Sequence, residues 1–94
     1  MDTQTILELV KARIGLTSTV RDSYLEKIIE SVLDELEDEK GIILDSSSAH
    51  HLMFVVDYAT WRYQNRDTVQ GMPRHLQFRL HNLMVHSGGA NDDV

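Results

Sequence analysis

Apolar side chains recur every three or four positions in four stretches of the chain, which is the spacing of one face of an α-helix. The second stretch is the most regular, because charged residues fill the positions opposite its apolar stripe. That stripe comprises Leu25, Ile28, Ile29, Val32, Leu33 and Leu36. The spacing predicts an all-α fold, a small bundle of about four helices over approximately residues 3–14, 20–40, 47–65 and 73–86.

The ends of these stretches carry residues that begin and end helices. Asp2 or Thr3 can accept hydrogen bonds from the free backbone N–H groups of the first helix. Gly15 and Gly41 fit the left-handed conformation that often follows a last helical turn. Pro73 suits the start of the fourth helix, where its missing N–H group costs nothing.

A chain of 94 residues is long enough for one hydrophobic core and too short for two. We therefore predict a single domain over residues 1–87 and a flexible C-terminal tail over residues 88–94. The apolar segment Ile42–Leu44 leaves two alternatives open, a short extended stretch or a return onto the core. No apolar run approaches the roughly 18 residues of a membrane span, and no basic stretch leads into an apolar one as in a signal peptide.

The third predicted helix is apolar on nearly every side, from Leu52 to Trp61. Such a helix is either central in a core or shared with a neighbouring subunit. Because so long a central helix is unusual in a small domain, we expect part of its apolar surface to contact another subunit. Phe78 and Val85 lie off the apolar stripe of the fourth helix and add to that surface.

Charge is distributed unevenly along the chain, whose net charge is −6. Residues 1–45 carry eleven acidic and five basic side chains, whereas residues 46–86 carry two acidic side chains and four arginines. The overall charge would repel a nucleic-acid backbone, which argues against a freestanding DNA-binding protein. The acidic run over residues 34–39 is most simply a solvated helix face.

Candidate catalytic and metal-binding residues lack the spacing that their chemistry needs. His50 and His51 are adjacent, so on a regular helix they point about 100° apart and cannot chelate one ion. The serines of residues 46–48 lack the strained turn and glycines of a nucleophile site, and they suit a helix cap instead. With no cysteine, a disulfide framework and a thiolate metal site are excluded. The sequence predicts no enzyme, no cofactor and no metal site.

Aromatic and cationic side chains alternate at the end of the third predicted helix, in Trp61, Arg62, Tyr63 and Arg66. This mixture can stack on bases and neutralise phosphates. It is also the composition of protein–protein contacts, in which Trp, Tyr and Arg supply most of the binding energy. Given the negative net charge, we favour a protein contact.

Residues 57–66 read DYATWRYQNR, and residues 71–83 read GMPRHLQFRLHNL. Together with the short helix before Gly15 and the long acidic helix after it, these segments resemble the head–tail connector (adaptor) proteins of tailed bacteriophages, also labelled phage DNA-packaging proteins. The resemblance covers about residues 4 to 87, nearly the whole chain. The resemblance consists of helix patterns and a few short sequence motifs rather than a catalytic signature.

The resemblance implies a structural subunit of the virion, present in the host cytoplasm during assembly. About a dozen copies, in head-to-tail contact with one another, would form a ring beneath the portal protein. The ring would extend the DNA channel and offer a docking face to the tail or stopper protein. The subunit is expected to be monomeric until the portal recruits it, and DNA would pass without sequence-specific contact. Residues 82–94 are candidates for the portal contact, and residues 41–48 for a neighbouring subunit or the stopper.

Two sets of residues are candidates for these contacts. The acidic helix supplies Glu30, Asp34 and Glu37, which either face the channel, where they would keep DNA from adhering, or pair with arginines of a neighbour. The third and fourth helices supply the subunit or portal interface. Its candidates are Phe54, Tyr58, Trp61, Arg62, Tyr63, Arg66, Arg74, Phe78, Arg79 and Asn82.

Two other functions remain open on the sequence. One is a helical adaptor or regulator unrelated to phages, which binds a single protein partner through the third and fourth helices. The other is a nucleic-acid-binding module that uses Arg62, Arg66, Arg74 and Arg79.

Overall fold

The computed structural model describes residues 1–67 and 71–88. The helices are α1 (Thr3–Ile14), α2 (Asp22–Asp34), α3 (Ala49–Gln64) and α4 (Arg74–Gly88), and a π-helical turn (Glu35–Glu39) continues α2 without a break. The described residues form no strand, so the predicted all-α bundle of four helices is confirmed. None of these helices combines the length and apolar character needed to cross a bilayer.

The helix ends differ from the predicted ones by a few residues. The first helix matches its prediction, the second begins at Asp22 instead of residue 20, and the third is shorter by two residues at its start and one at its end. The fourth continues to Gly88, which the prediction had assigned to the tail. The rest of the predicted tail, residues 89–94, lies outside the described residues.

Local hydrogen bonds explain where the helices begin and end. The Asp2 carboxylate accepts from the Gln4 backbone N–H at 3.3 Å and from the Thr5 hydroxyl at 2.8 Å. Gly15 ends α1 in the left-handed conformation, with φ at +80°, and the next N–H donates back to the Lys11 carbonyl at 2.9 Å. At the start of α3, the Ser48 hydroxyl accepts from the third residue of the helix, as a capping serine does.

The π-helical turn brings the chain back onto the core after α2. The Lys40 N–H donates to the Glu35 carbonyl, and the Ile42 N–H to the Leu36 carbonyl, both at 2.9 Å. Gly41 lies between them with φ at +69°. Ile42 is consequently buried, while Ile43 is 76% exposed. Of the two alternatives for this segment, the return onto the core is the one observed.

Helices α1, α2 and α3 each contact the other two, whereas α3 is the only helix that the backbone of α4 approaches among the described residues. The apolar side chains of the first three helices form one core. Its most deeply buried members are Ile6, Val10, Ile29, Val32, Leu36 and Val55. The fold is thus a three-helix core with α4 laid along the remaining side of α3.

The left-handed backbone conformation at the end of α1 favours glycine. Lack of space is not the reason, because a Cβ atom there would meet nothing within 4 Å. We expect Gly15→Ala to lower the free energy of unfolding by about 1–2 kcal/mol, because an L-residue resists positive φ. The matched control is Gly71→Ala, which has equally open space but no positive φ and should cause little or no loss. Urea unfolding followed by circular dichroism measures both. Equal losses in the two variants would contradict this explanation.

Candidate interaction site

One carboxylate connects three of the four helices. Asp57, near the middle of α3, accepts from Arg13 of α1 through Oδ1 and from Arg79 of α4 through Oδ2, the latter at 2.7 Å. The Asp57 side chain is mostly buried, whereas the two arginines are partly exposed. This arrangement holds α4 in a fixed position relative to α1, which its backbone does not approach.

The electrostatics of this cluster favour an ionised Asp57. Partial burial by itself raises the pKa of the Asp57 carboxyl, but the hydrogen bonds and positive charges of Arg79 and Arg13 outweigh burial, so the pKa lies below its ordinary value. Two guanidinium groups share one carboxylate. The cluster therefore carries one unbalanced positive charge.

Aromatic and apolar contacts complete the attachment of α4. The guanidinium of Arg79 lies over the Phe54 ring, 5.4 Å from its centroid. Leu76 and Leu83, on the inner side of α4, are buried in the common core. The buried residues of α4 and its Arg79 side chain thus face α3. The opposite side of α4 is exposed to solvent.

A groove of about 380 Å³ lies where α1, α3 and α4 meet, and we call it the Asp57 groove. Its lining is polar and rich in hydrogen-bond donors. The residues are Arg13, Asp57, Thr60, Trp61, Gln64, His75, Leu76 and Arg79. The Thr60 hydroxyl is buried and has no hydrogen-bond partner in the described part of the protein.

A second groove of about 540 Å³ lies between the start of α3 and the second half of α4. It contains His50 and His51 beside Arg79 and Asn82. His51 has a structural role, since its Nδ1 accepts from the Asp45 backbone N–H at 2.9 Å. Within residues 1–67 and 71–88, no three His, Asp or Glu side chains are grouped as they would be around a metal ion.

The predicted interface residue Arg62 instead joins α3 to the π-helical turn. Its guanidinium binds the Glu35 carboxylate, donates to the Tyr58 hydroxyl at 2.7 Å and donates to the Ser31 hydroxyl at 2.9 Å. The Tyr58 hydroxyl in turn donates to Glu35. Burial is the main reason that the pKa of Tyr58 is raised, and the hydrogen bond to the Glu35 carboxylate raises this pKa further. These contacts fix the side of α3 that faces α2.

Arg66 and Tyr63 are likewise engaged within the chain. The Arg66 guanidinium lies 4.3 Å from the centroid of the Tyr63 ring and donates to the Tyr63 carbonyl at 2.6 Å. Arg21 donates to the Tyr63 hydroxyl, and Tyr24 packs edge-on against the same ring at 6.1 Å. The alternating aromatic and cationic residues thus make contacts inside one subunit.

The expectation that α3 keeps apolar surface for a partner is wrong for Phe54, Tyr58 and Tyr63. Their exposed fractions are 1%, 4% and 7%, because α1 and α2 cover two sides of α3 and α4 covers a third. Trp61 is partly buried and lines the Asp57 groove. A helix that is apolar all round is central here, even in so small a domain.

The remaining predicted interface residues lie on α4. Arg74, Phe78 and Asn82 are exposed, and Phe78 is 64% exposed with Val85 beyond it at 50%. Arg74, Phe78, His81 and Val85 occur at helical spacing, so they form one stripe opposite the buried leucines. We call these four residues the α4 outer face.

The three acidic candidates lie on the solvent side of α2 and its π-helical continuation. Glu30, Asp34 and Glu37 are exposed. Glu30 pairs with Lys27 at 3.3 Å, and the other two make no ion pair within the described ranges. The neighbouring Glu35 faces inward and binds Arg62, so Glu35 is not part of the exposed acidic surface.

The sequence prediction missed Asp57, Arg13 and Thr60 as site residues. The one available signal was Asp57 itself, a lone acidic residue in the middle of an apolar helix. An isolated charge in such a position is buried only with a partner. The partners lie 44 and 22 residues away, so no local pattern identifies them.

Comparison of the chain with protein-family models, with curated proteins and with solved structures gave no match. Function therefore has to be inferred from the surfaces just described and from the family resemblance.

Asp57 should contribute stability that depends on pH. We expect Asp57→Asn to lower the free energy of unfolding by about 1–2 kcal/mol at pH 7, because it weakens two charge-assisted hydrogen bonds. The pKa of Asp57 is lower in the folded than in the unfolded chain. Its contribution is therefore full above the unfolded value of about 3.9 and is lost as the pH falls through the folded pKa.

Urea unfolding of both proteins from pH 7 down to pH 3 measures this contribution, and the difference between them should shrink below about pH 4. The control is Asp34→Asn, which removes an exposed acid without an ion pair in the described structure. A difference that does not vary with pH would show that the ionised carboxylate is not its source.

Proposed function

We propose that this chain is a structural head–tail connector (adaptor) subunit of a tailed bacteriophage. In this function a homo-oligomeric ring of the chain joins the portal to the tail or stopper protein and extends the DNA channel. The subunit acts through its surfaces, without catalysis or a cofactor, in the virion and, during assembly, in the host cytoplasm. The sequence resemblance supplies the family, and the distribution of exposed groups supports it.

The observation that carries the proposal is the α4 outer face. Phe78 and Val85 are large apolar side chains at the centre of a solvent-exposed helix face, with Met84 beside them at 39% exposure. Single exposed apolar residues are common, but two of them aligned along an exposed helix are typical of a contact with another protein. The helix belongs to the segment that most resembles the connector family.

The arginines support a protein contact over nucleic-acid binding. Arg62, Arg66 and Arg79 are each engaged with groups of their own chain. Among these four candidate arginines only Arg74 makes no ion pair or ring contact within the described residues. With a net charge of −6, the subunit suits DNA that passes it without adhering.

The direct test mixes the purified chain with the portal protein from the same phage and images the complex by negative-stain electron microscopy. A ring of added density beneath the portal is expected. If the chain does not associate with the portal, the proposal fails. Stable binding to one unrelated protein would favour the helical adaptor, and a salt-dependent gel shift of DNA would favour the nucleic-acid module.

Substitution on the α4 outer face should separate binding from stability. We expect Phe78→Ser to change the free energy of unfolding by less than about 0.5 kcal/mol, since the side chain is exposed, and to abolish the portal-bound ring. Val20→Ser is the matched control, because Val20 is 87% exposed but lies before α2. It should leave the ring intact. Rings that form equally well with both variants would exclude the α4 outer face from the contact.

A further inference from the structure

Two exposed surfaces of opposite charge lie on different helices of this molecule. The acidic one extends along α2 and the π-helical turn. It comprises Glu30, Asp34, Glu37, Asp38 and Glu39. The basic one is the Asp57 groove between α1, α3 and α4, where Arg13 and Arg79 share a single carboxylate.

The acidic surface is not balanced by bases of its own chain. Lys27 pairs with Glu30, and Arg62 is engaged with the inward-facing Glu35. Asp34 and Glu37 make no ion pair in the part of the chain that is described. Their charges are therefore available to a partner that brings positive charge.

The Asp57 groove has the complementary properties. Its two guanidinium groups carry one more positive charge than Asp57 neutralises. Each guanidinium has five N–H donors, of which the bonds to Asp57 use only part. The unpartnered Thr60 hydroxyl and the exposed Gln64 and His75 add further polar groups, so polar residues outnumber Trp61 and Leu76 in the lining, and a charged side chain suits it better than an apolar one.

We propose that the acidic surface of one copy docks at the Asp57 groove of a second copy, with the carboxylates of Asp34 and Glu37 directed to Arg13 and Arg79. The occupant is a second copy because the same chain carries both charges in exposed, unbalanced form. This inference rests on the proposed function and specifies the contact between neighbouring subunits. It assigns the acidic surface to that contact, not to the channel wall.

The positions of the two surfaces permit a head-to-tail contact, which is the arrangement that the proposed ring requires. Helices α2 and α4 both pack on α3 but do not approach each other, and no residue of α2 lines the groove. Docking therefore uses the acidic surface of one copy and the groove of the next. In a head-to-tail arrangement each pair leaves one acidic surface and one groove open, so the contact repeats into a ring or a filament.

Charge reversal tests the contact from both sides. The acidic-surface variant is Asp34→Lys with Glu37→Lys. The groove variant is Gln64→Glu with His75→Glu, which keeps Asp57, Arg13 and Arg79 themselves unchanged. All four side chains are exposed, so circular dichroism should show both variants folded. Glu8→Lys is the control, an exposed acid of α1 that lies on neither surface.

Each variant alone should self-associate at least about tenfold more weakly than the unmodified chain, because like charges then meet. The two variants mixed should associate again, since each contact then joins opposite charges. Association of the unmodified chain should weaken as salt is raised. Because the subunit is expected to be monomeric before the portal recruits it, ring formation on the portal is the main readout of these effects. Sedimentation velocity at rising protein concentration is the second readout and detects weak association in solution.

Several results would overturn the inference. One is a mixture of the two variants that associates no better than either alone. Another is an acidic-surface variant that forms rings on the portal as well as the unmodified chain and the Glu8→Lys control. That second result leaves the connector function standing and moves the acidic surface to another role. If the unmodified chain assembles neither alone nor on the portal, the proposed function fails together with this contact.

Discussion

Helix α4 depends on the carboxylate of Asp57 for its position. The burial of Leu76 and Leu83 supplies the attraction that holds α4 to α3, at about 25 cal/mol for each Å² of apolar surface removed from water. Apolar contact is non-directional, however, and would permit the helix to slide or rotate. The bond from Arg79 to Asp57, with Arg13 on the other carboxylate oxygen, is directional and favours the observed register. Because its two arginines are partly exposed, the cluster contributes only about 1–2 kcal/mol to stability, and its larger effect is on the position of α4.

That register determines what the rest of the surface presents. With Arg79 directed toward Asp57 and Phe54, the helical repeat places Phe78 and Val85 on the far side of α4. The same arrangement encloses the Asp57 groove between three helices and brings His75 beside Thr60. The apolar face and the polar groove are therefore two consequences of one packing arrangement. A helix rotated by a quarter turn would offer neither.

The fold could be predicted because its signals are local. The stripe of Leu25, Ile29 and Leu36 and the caps at Asp2 and Gly15 act within a few residues, and the helices form where these signals occur. The site could not be predicted in the same way. A helix that is apolar on all sides, such as α3, must be covered, but its sequence does not indicate whether the same chain or a partner covers it. Here the same chain covers it, so Phe54 and Tyr63 are core residues. Ion pairs between helices produce no periodic pattern in the sequence, so they could not be predicted. The π-helical turn that directs Glu35 inward likewise has no sequence pattern that predicts it.

A central α3 has a consequence for how such a small domain can take part in an assembly. Its buried aromatic residues Phe54, Tyr58 and Tyr63 pack inside the molecule, and Arg62 is bound to Glu35, so these side chains are not available to a partner. The α4 outer face is apolar, the exposed side of α2 is acidic, and the Asp57 groove lies where α1, α3 and α4 meet. The backbones of α2 and α4 both approach α3 but do not approach each other, so the acidic and apolar surfaces lie on separate helices. In the proposed assembly, separate and unlike surfaces would serve different neighbours on different sides, as a head-to-tail ring requires. The alternative is a two-fold pair in which both copies use the same surface patch, so the connector proposal depends on which of these two arrangements the chain adopts.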